Sequence, residues 1–168
     1  MDAPLDAELL QIARSRLLDD YPRQVRTCLQ ALGDEDIWWR PNEQSNAVAN
    51  LVLHVSGSNR HYLEHVIGGG VDVRNRDAEF AARGGHSRAD LERLYEEVRG
   101  IMQNVLDTLT PARLSETTDR TGRTSTFARI LLHVTHHNAV HGGQILWITK
   151  MRRPGVFAEL TRTPPAAR

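Results

Sequence analysis

His133, His137 and His141 recur at four-residue intervals, so on a helix they stack along one face. Neutral imidazole binds divalent metals well, and two imidazoles one turn apart can share an ion. Three in a row cannot. A helix rises ~1.5 Å per residue, which sets the outer two ~12 Å apart. The usable pair is His133 with His137, or His137 with His141. Phe127, Ile130, Leu131, Val134, Ile145 and Ile148 mark the buried stripe of this stretch. At roughly 100° per residue, His141 falls at the centre of that stripe and His137 about 40° to one side. The second pair therefore sits closer to the core, while His136 points away and is expected at the surface or an interface. A pair alone is a weak signal, because a histidine on an apolar face is more often simply hydrogen-bonded. A further ligand has to come from elsewhere.

An earlier stretch offers His54, His61 and His65. His54 borders the stripe of Val48, Leu51, Val52, Val55, Tyr62 and Val66, and of the three it is the most embedded in apolar sequence. His61 and His65 lie nearer the polar face and read as solvated, and His86 reads as an exposed loop residue. The H-E-x-x-H signature of zinc proteases is absent, because Asn138 follows His137. Two residues are candidates for a catalytic role. Glu79 is the best-placed carboxylate, against the plainer reading of a solvated loop residue. Gln144, three residues after His141, could orient a ligand or a bound water, or could simply pack between helices. Arg74 and Arg76 could receive an anionic substrate through forked hydrogen bonds, or form loop salt bridges. Trp38 and Trp39 either wall a pocket or plug the core. Cys28 reads as core packing.

The elements that must position these residues are helical. The first helix spans about Asp6 to Leu32, with a stripe through Leu10, Ala13, Leu17, Tyr21, Val25, Cys28 and Leu32 and a kink or break expected at Pro22. The second starts near Ser45 or Asn46 and runs to Ile67, before Gly68-Gly69-Gly70. Val71 to His86 is a polar connector, long for a compact domain. Ser87-Arg88-Ala89-Asp90 resembles a capping box opening the third helix, which Thr110-Pro111 closes. The fourth helix begins around Thr124 to Thr126 and ends near Arg152, with Lys150, Arg152 and Arg153 suiting the negative end of its dipole. Four amphipathic helices predict an all-α, antiparallel four-helix bundle with long connectors, one domain over residues 1–160 with a frayed tail over 161–168.

Whole-chain properties narrow the class of function. Lys+Arg and Asp+Glu both total 21, so there is no basic excess for nucleic acid or an anionic membrane. One cysteine precludes an intrachain disulfide and fits a reducing compartment. The N-terminus lacks a signal-peptide pattern, and no apolar run is long enough to span a membrane. The expectation is a soluble, cytoplasmic protein that acts on a small molecule. Trp147 and Val140, off the core stripe of the fourth helix, predict a homodimer.

Four segments resemble the DinB/YfiT-like superfamily of metal-dependent four-helix proteins, closest to a branch of unknown function. They are Trp38 to Glu43 (WWRPNE), Asn46 to Gly57 (NAVANLVLHVSG), Arg74 to Phe80 (RNRDAEF) and Val134 to Ile145 (VTHHNAVHGGQI). The resemblance covers nearly the whole chain. It implies that one histidine of the second helix and an H-x3-H pair of the last hold the ion, here His54, His137 and His141. His136 stands where relatives often carry glutamate. Three histidines leave a coordination position open, as catalytic sites do. The expected cofactor is one divalent ion, zinc or nickel by ligand type, with iron or manganese also suited. The resemblance implies a metal-dependent enzyme, either a hydrolase or a transferase using a low-molecular-weight thiol. The alternative is a non-catalytic, metal-stabilised binding or stress-response module.

Overall fold

The computed structural model describes residues 4–155, so the tail over 161–168 lies outside the described residues. Four helical rods form the bundle. The first comprises α1 (Leu5–Ser15), a π-helical turn (Arg16–Asp20) and α2 (Tyr21–Ala31). The second is α3 (Val48–Asn59), continued by a π-helical stretch (Arg60–Ile67). A short α4 (Arg76–Ala81) precedes the third rod, α5 (Arg88–Thr108), and the fourth is α6 (Phe127–Arg152). The only sheet among the described residues is a two-residue ladder, β1 (Thr117–Thr118) with antiparallel β2 (Ser125–Thr126).

The first and second rods each pack against both α5 and α6, which places them on opposite corners. Side-chain contacts give the directions. Along the first rod, Arg14 Nη1 donates to Leu106 O at 2.8 Å and Arg26 pairs with Glu96, so α5 runs antiparallel to it. Gln24 Nε2 donates to Gly142 O and Arg153 Nε to Ala31 O, so α6 runs parallel to it. Asn59 meets Asn138 and Tyr62 meets His133, so α6 is antiparallel to the second rod. Two rods therefore run each way. The second rod and α5 share a direction, so after Ile67 the chain has to return along the bundle before α5 can start. That return is the connector carrying α4.

Pro22 lies inside a continuous rod. The π turn directly before it makes a bond from Tyr21 N–H to Arg16 O, and the widened turn accommodates the proline ring. The second rod likewise ends in a wide turn, with Gly68 N–H bonding to Leu63 O at 2.8 Å. Its start is at Val48, later than Ser45 or Asn46, because Asn50 Oδ1 reaches back to the Ala47 N–H. Ser87 caps α5 as the sequence predicts: Asp90 N–H donates to Ser87 Oγ, and Ser87 N–H donates to Asp90 Oδ2. Arg152 and Arg153, at the end of α6, both bind Asp36, which is buried in the 3-10 turn Asp36–Trp38.

The core divides in two. One cluster contains Leu10, Leu17, Leu63, Met102, Leu106, Leu131 and Val134, and the other contains Val25, Cys28, Ile37, Val52, Leu91, Ile145 and Ile148. Trp38 and Trp39 pack against the second cluster, so they plug core. Between the clusters, along the second rod and α6, lies a polar waist that includes buried Ser56, Ser58, Asn59 and Asn138. The histidine site is at this waist.

Candidate metal centre

His54 is 5% exposed on α3, and His137 and His141 are half-buried on the facing side of α6. One ligand atom from each comes within 4.8 Å of the others, and His54 Nε2 lies 3.0 Å from His137 Nε2. Nitrogens ~2.0–2.1 Å from a tetrahedral zinc stand about 3.3–3.4 Å apart, so small ring movements bring this set onto one ion. The antiparallel register of α3 against α6 makes the convergence possible. One turn on from His54, Asn59 Nδ2 donates to Asn138 Oδ1 at 3.1 Å and Asn138 Nδ2 donates to Asn59 Oδ1 at 2.7 Å. This closed amide pair pins the two helices at the site.

Two of the three rings are held from behind. His54 Nδ1 lies 2.9 Å from Glu79 Oε2. Glu79 is buried and takes two further bonds from Arg74, Nε to Oε1 at 2.9 Å and Nη2 to Oε2 at 3.0 Å. Arg74 Nη2 is also 3.2 Å from His54 Nδ1. A ring nitrogen that donates its proton to the carboxylate cannot also accept from a guanidinium, so both donors belong to Glu79. That tautomer leaves the His54 Nε2 lone pair facing the other rings, the carboxylate–histidine arrangement common behind metal ligands. His141 Nδ1 donates to Gln144 Oε1 at 2.7 Å, with the same effect. His137 Nδ1 is buried without a hydrogen-bond partner among the described residues.

Electrostatics favour the neutral form of the two α6 rings. Burial, followed by the neighbouring His141, His54, His133 and Arg74, pushes His137 down to about 3. Burial also lowers His141, with the Gln144 bond acting against it and His54 adding to the fall. For Glu79, burial acts upward, but the bonds from His54 and Arg74 outweigh it and hold the carboxyl below its ordinary value. Imidazoles backed by a carboxylate and an amide form a donor set suited to a borderline divalent cation.

The return connector supplies what the sequence reading left open. Asn75 Oδ1 caps α4 by accepting from Ala78 N–H, and buried Asn50 Nδ2 donates to Glu79 O and Ala82 O. These bonds clamp α4 onto α3 and fix Glu79 against His54, so Glu79 is not a solvated loop residue. A Cβ at Gly57 would collide with Glu79 Oε1, which is why glycine stands there. Arg74 spends its fork on Glu79 and is not available to a substrate, whereas Arg76 lies over the Phe80 ring at 5.0 Å. The α4 cap was readable as Asn75 two residues before Asp77. The roles of Asn50, Gly57, Asn59 and Asn138 left no local signal.

The other histidines stand apart from this centre. His61 Nδ1 pairs with Asp72 and His65 Nδ1 with Gly70 O, while His86 and His136 are exposed. His133 is exposed one turn before His137, with ring centroids 5.7 Å apart. Cys28 is fully buried; burial pushes its thiol up to about 11 despite a Thr149 hydrogen bond and nearby Lys150, and it serves as core.

The bundle shares its fold with solved proteins described as DinB-like. The chain belongs to the family described as "Protein of unknown function (DUF1572)", whose model matches residues 5–165. Among solved structures it is similar to a DinB-like protein from Bacillus subtilis, at 18% identity over 88% of this chain and 94% of that one, with a TM-score of 0.64. A conserved protein from Enterococcus faecalis superposes with a TM-score of 0.72 at 13% identity, covering 84% and 95% of the two chains. A second DinB-like protein, from Bacillus cereus, gives 0.63 at 16% identity over 79% and 85%. At these identities the likeness is one of fold. No curated protein matches the chain.

Proposed function

We propose that His54, His137 and His141 hold one divalent metal ion and that the protein is a metal-dependent enzyme acting on a small molecule, as a hydrolase or a thiol-dependent transferase. The observation that carries this reading is the convergence of three imidazoles, two of them oriented from behind by Glu79 and Gln144. Zinc or nickel suits the ligands first, and iron or manganese can also be held. Bound there, the ion would lower the pKa of a coordinated water or thiol. The chain's own part is orientation. Glu79 holds the His54 tautomer and Gln144 holds the His141 ring. Glu79 faces the back of His54 and Arg74, an orienting position and not one for proton transfer. That placement also favours a second reading, a non-catalytic module in which the metal ties α3 to α6.

Metal analysis of purified protein, followed by assays with ester substrates and low-molecular-weight thiols, tests both readings. One bound ion per chain with turnover supports the enzyme. One ion without turnover supports the module. Protein that takes up neither zinc nor nickel at neutral pH refutes both.

No helix among the described residues is long and apolar enough to cross a membrane, and we place the activity in the cytoplasm. We also propose a homodimer through the outer face of α6, where Val140, Trp147 and Met151 are 44%, 60% and 46% exposed.

A further inference from the structure

An open groove of about 670 Å³ lies beside the histidine centre, between the β1–β2 hairpin, the second rod and the first turns of α6. Its charged and titratable walls are Arg123, Arg129, His133, His136 and Tyr62, with Thr121 and Ser125 adding hydroxyls, and no aspartate or glutamate lines it. Most other described arginines are committed. Arg74, Arg88 and Arg113, for example, each grip a carboxylate. The guanidiniums of Arg123 and Arg129 form no ion pair or hydrogen bond with any described residue. Two free guanidiniums beside imidazoles, with no counter-charge, set up a positive potential in a recess that already has walls. The groove is coupled to the centre through rings: Tyr62 meets His133 edge-on at 4.7 Å, and His133 meets His137 at 5.7 Å.

We propose that this groove is an oxyanion subsite, which takes the carboxylate or phosphate of a small-molecule substrate whose other end reaches the three histidines. The second half of this statement rests on the metal reading above. Arg123 and Arg129 present planar donor forks that match either oxyanion. Thr121 Oγ1 donates to Arg123 O at 2.7 Å and lies 3.4 Å from Oγ of buried Ser125, so these hydroxyls hold the wall in shape and the guanidiniums supply the donors. Ile130 and Leu132 add apolar wall to the same groove, which suits a substrate with an apolar body.

Calorimetric titration with inorganic phosphate and with acetate tests this on zinc-loaded wild type, on the Arg123→Ala/Arg129→Ala double variant, and on His137→Ala. Saturable binding to wild type is expected, weakened at least about ten-fold in the arginine variant, because each lost contact is a hydrogen bond between charged groups. His137→Ala should keep the anion affinity within a few-fold. The arginine variant should keep its zinc, since neither side chain approaches the three histidines. Preference for phosphate or for acetate then identifies the substrate's anionic group. No saturable binding at millimolar anion, or unchanged affinity in the arginine variant, overturns the subsite. Loss of binding in His137→Ala alone overturns it too, because the anion then sits on the ion. Zinc content measured on the same samples separates these failures from a failure of the metal reading.

Discussion

His54 turns one ring nitrogen toward His137 and is gripped through the other by Glu79, whose remaining bonds go to Arg74. Replacing Glu79 by glutamine keeps the volume but removes the charge that favours a donating His54 Nδ1–H. The expected result is a 10–100-fold loss of zinc affinity in chelator competition, with helical circular dichroism intact. Unchanged affinity would show that the carboxylate is merely a structural partner of Arg74. The Asn59–Asn138 pair acts at the same scale by a different means. Asn138→Ala strands a buried amide on Asn59 and should cost about 1–3 kcal/mol in urea denaturation. Asn59→Ala/Asn138→Ala removes both halves and should cost clearly less than the sum of the single changes. Additive losses would mean that the two amides are independently solvated.

At the level of elements, α5 depends on its cap. Ser87→Ala should lower stability by about 1 kcal/mol. The pH dependence has a definite sign. The hydrogen bonds from Ser87 side chain and backbone, then Arg93, hold Asp90 down to about 2 in the fold, against 3.8 ordinarily. A carboxyl depressed in the folded state contributes stability that is present above pH 3.8 and fades as pH falls towards 2. In Ser87→Ala this acid-side loss should flatten, as read from thermal melts between pH 5 and 2. The return connector is the other decisive element. Its α4 exists because the parallel direction of the second rod and α5 forces the chain back along the bundle, and Asn50 and Asn75 bind it where it passes α3.

For the molecule as a whole, a two-part core around a polar waist means that the centre is not the source of the fold. His137→Ala or His141→Ala should abolish metal uptake while leaving helical content and a cooperative melt, because both apolar clusters persist. His133→Ala and His136→Ala should keep their metal. Collapse of the fold in His137→Ala would instead assign the ion a structural role. The outer face of α6 carries the assembly prediction: Trp147→Glu should convert a dimer to a monomer in light scattering at micromolar protein. Wild type that is already monomeric would refute the dimer.

Local periodicity was enough for the four helices, for the Ser87 cap and for the core-facing direction of His137 and His141, because a side chain's face on a helix follows from spacing alone. His54 was legible as a histidine embedded in an apolar stretch, though its partners were not. Whether Glu79 is solvent or second layer, whether Arg74 is free, and why residue 57 is glycine depend on which segment lies across α3. That follows from rod direction and the return path, which no local pattern encodes. Arg123 and Arg129 are likewise unremarkable in sequence. They share a groove with His133 only because the hairpin folds against the start of α6, and their lack of counter-charge is a property of that packing.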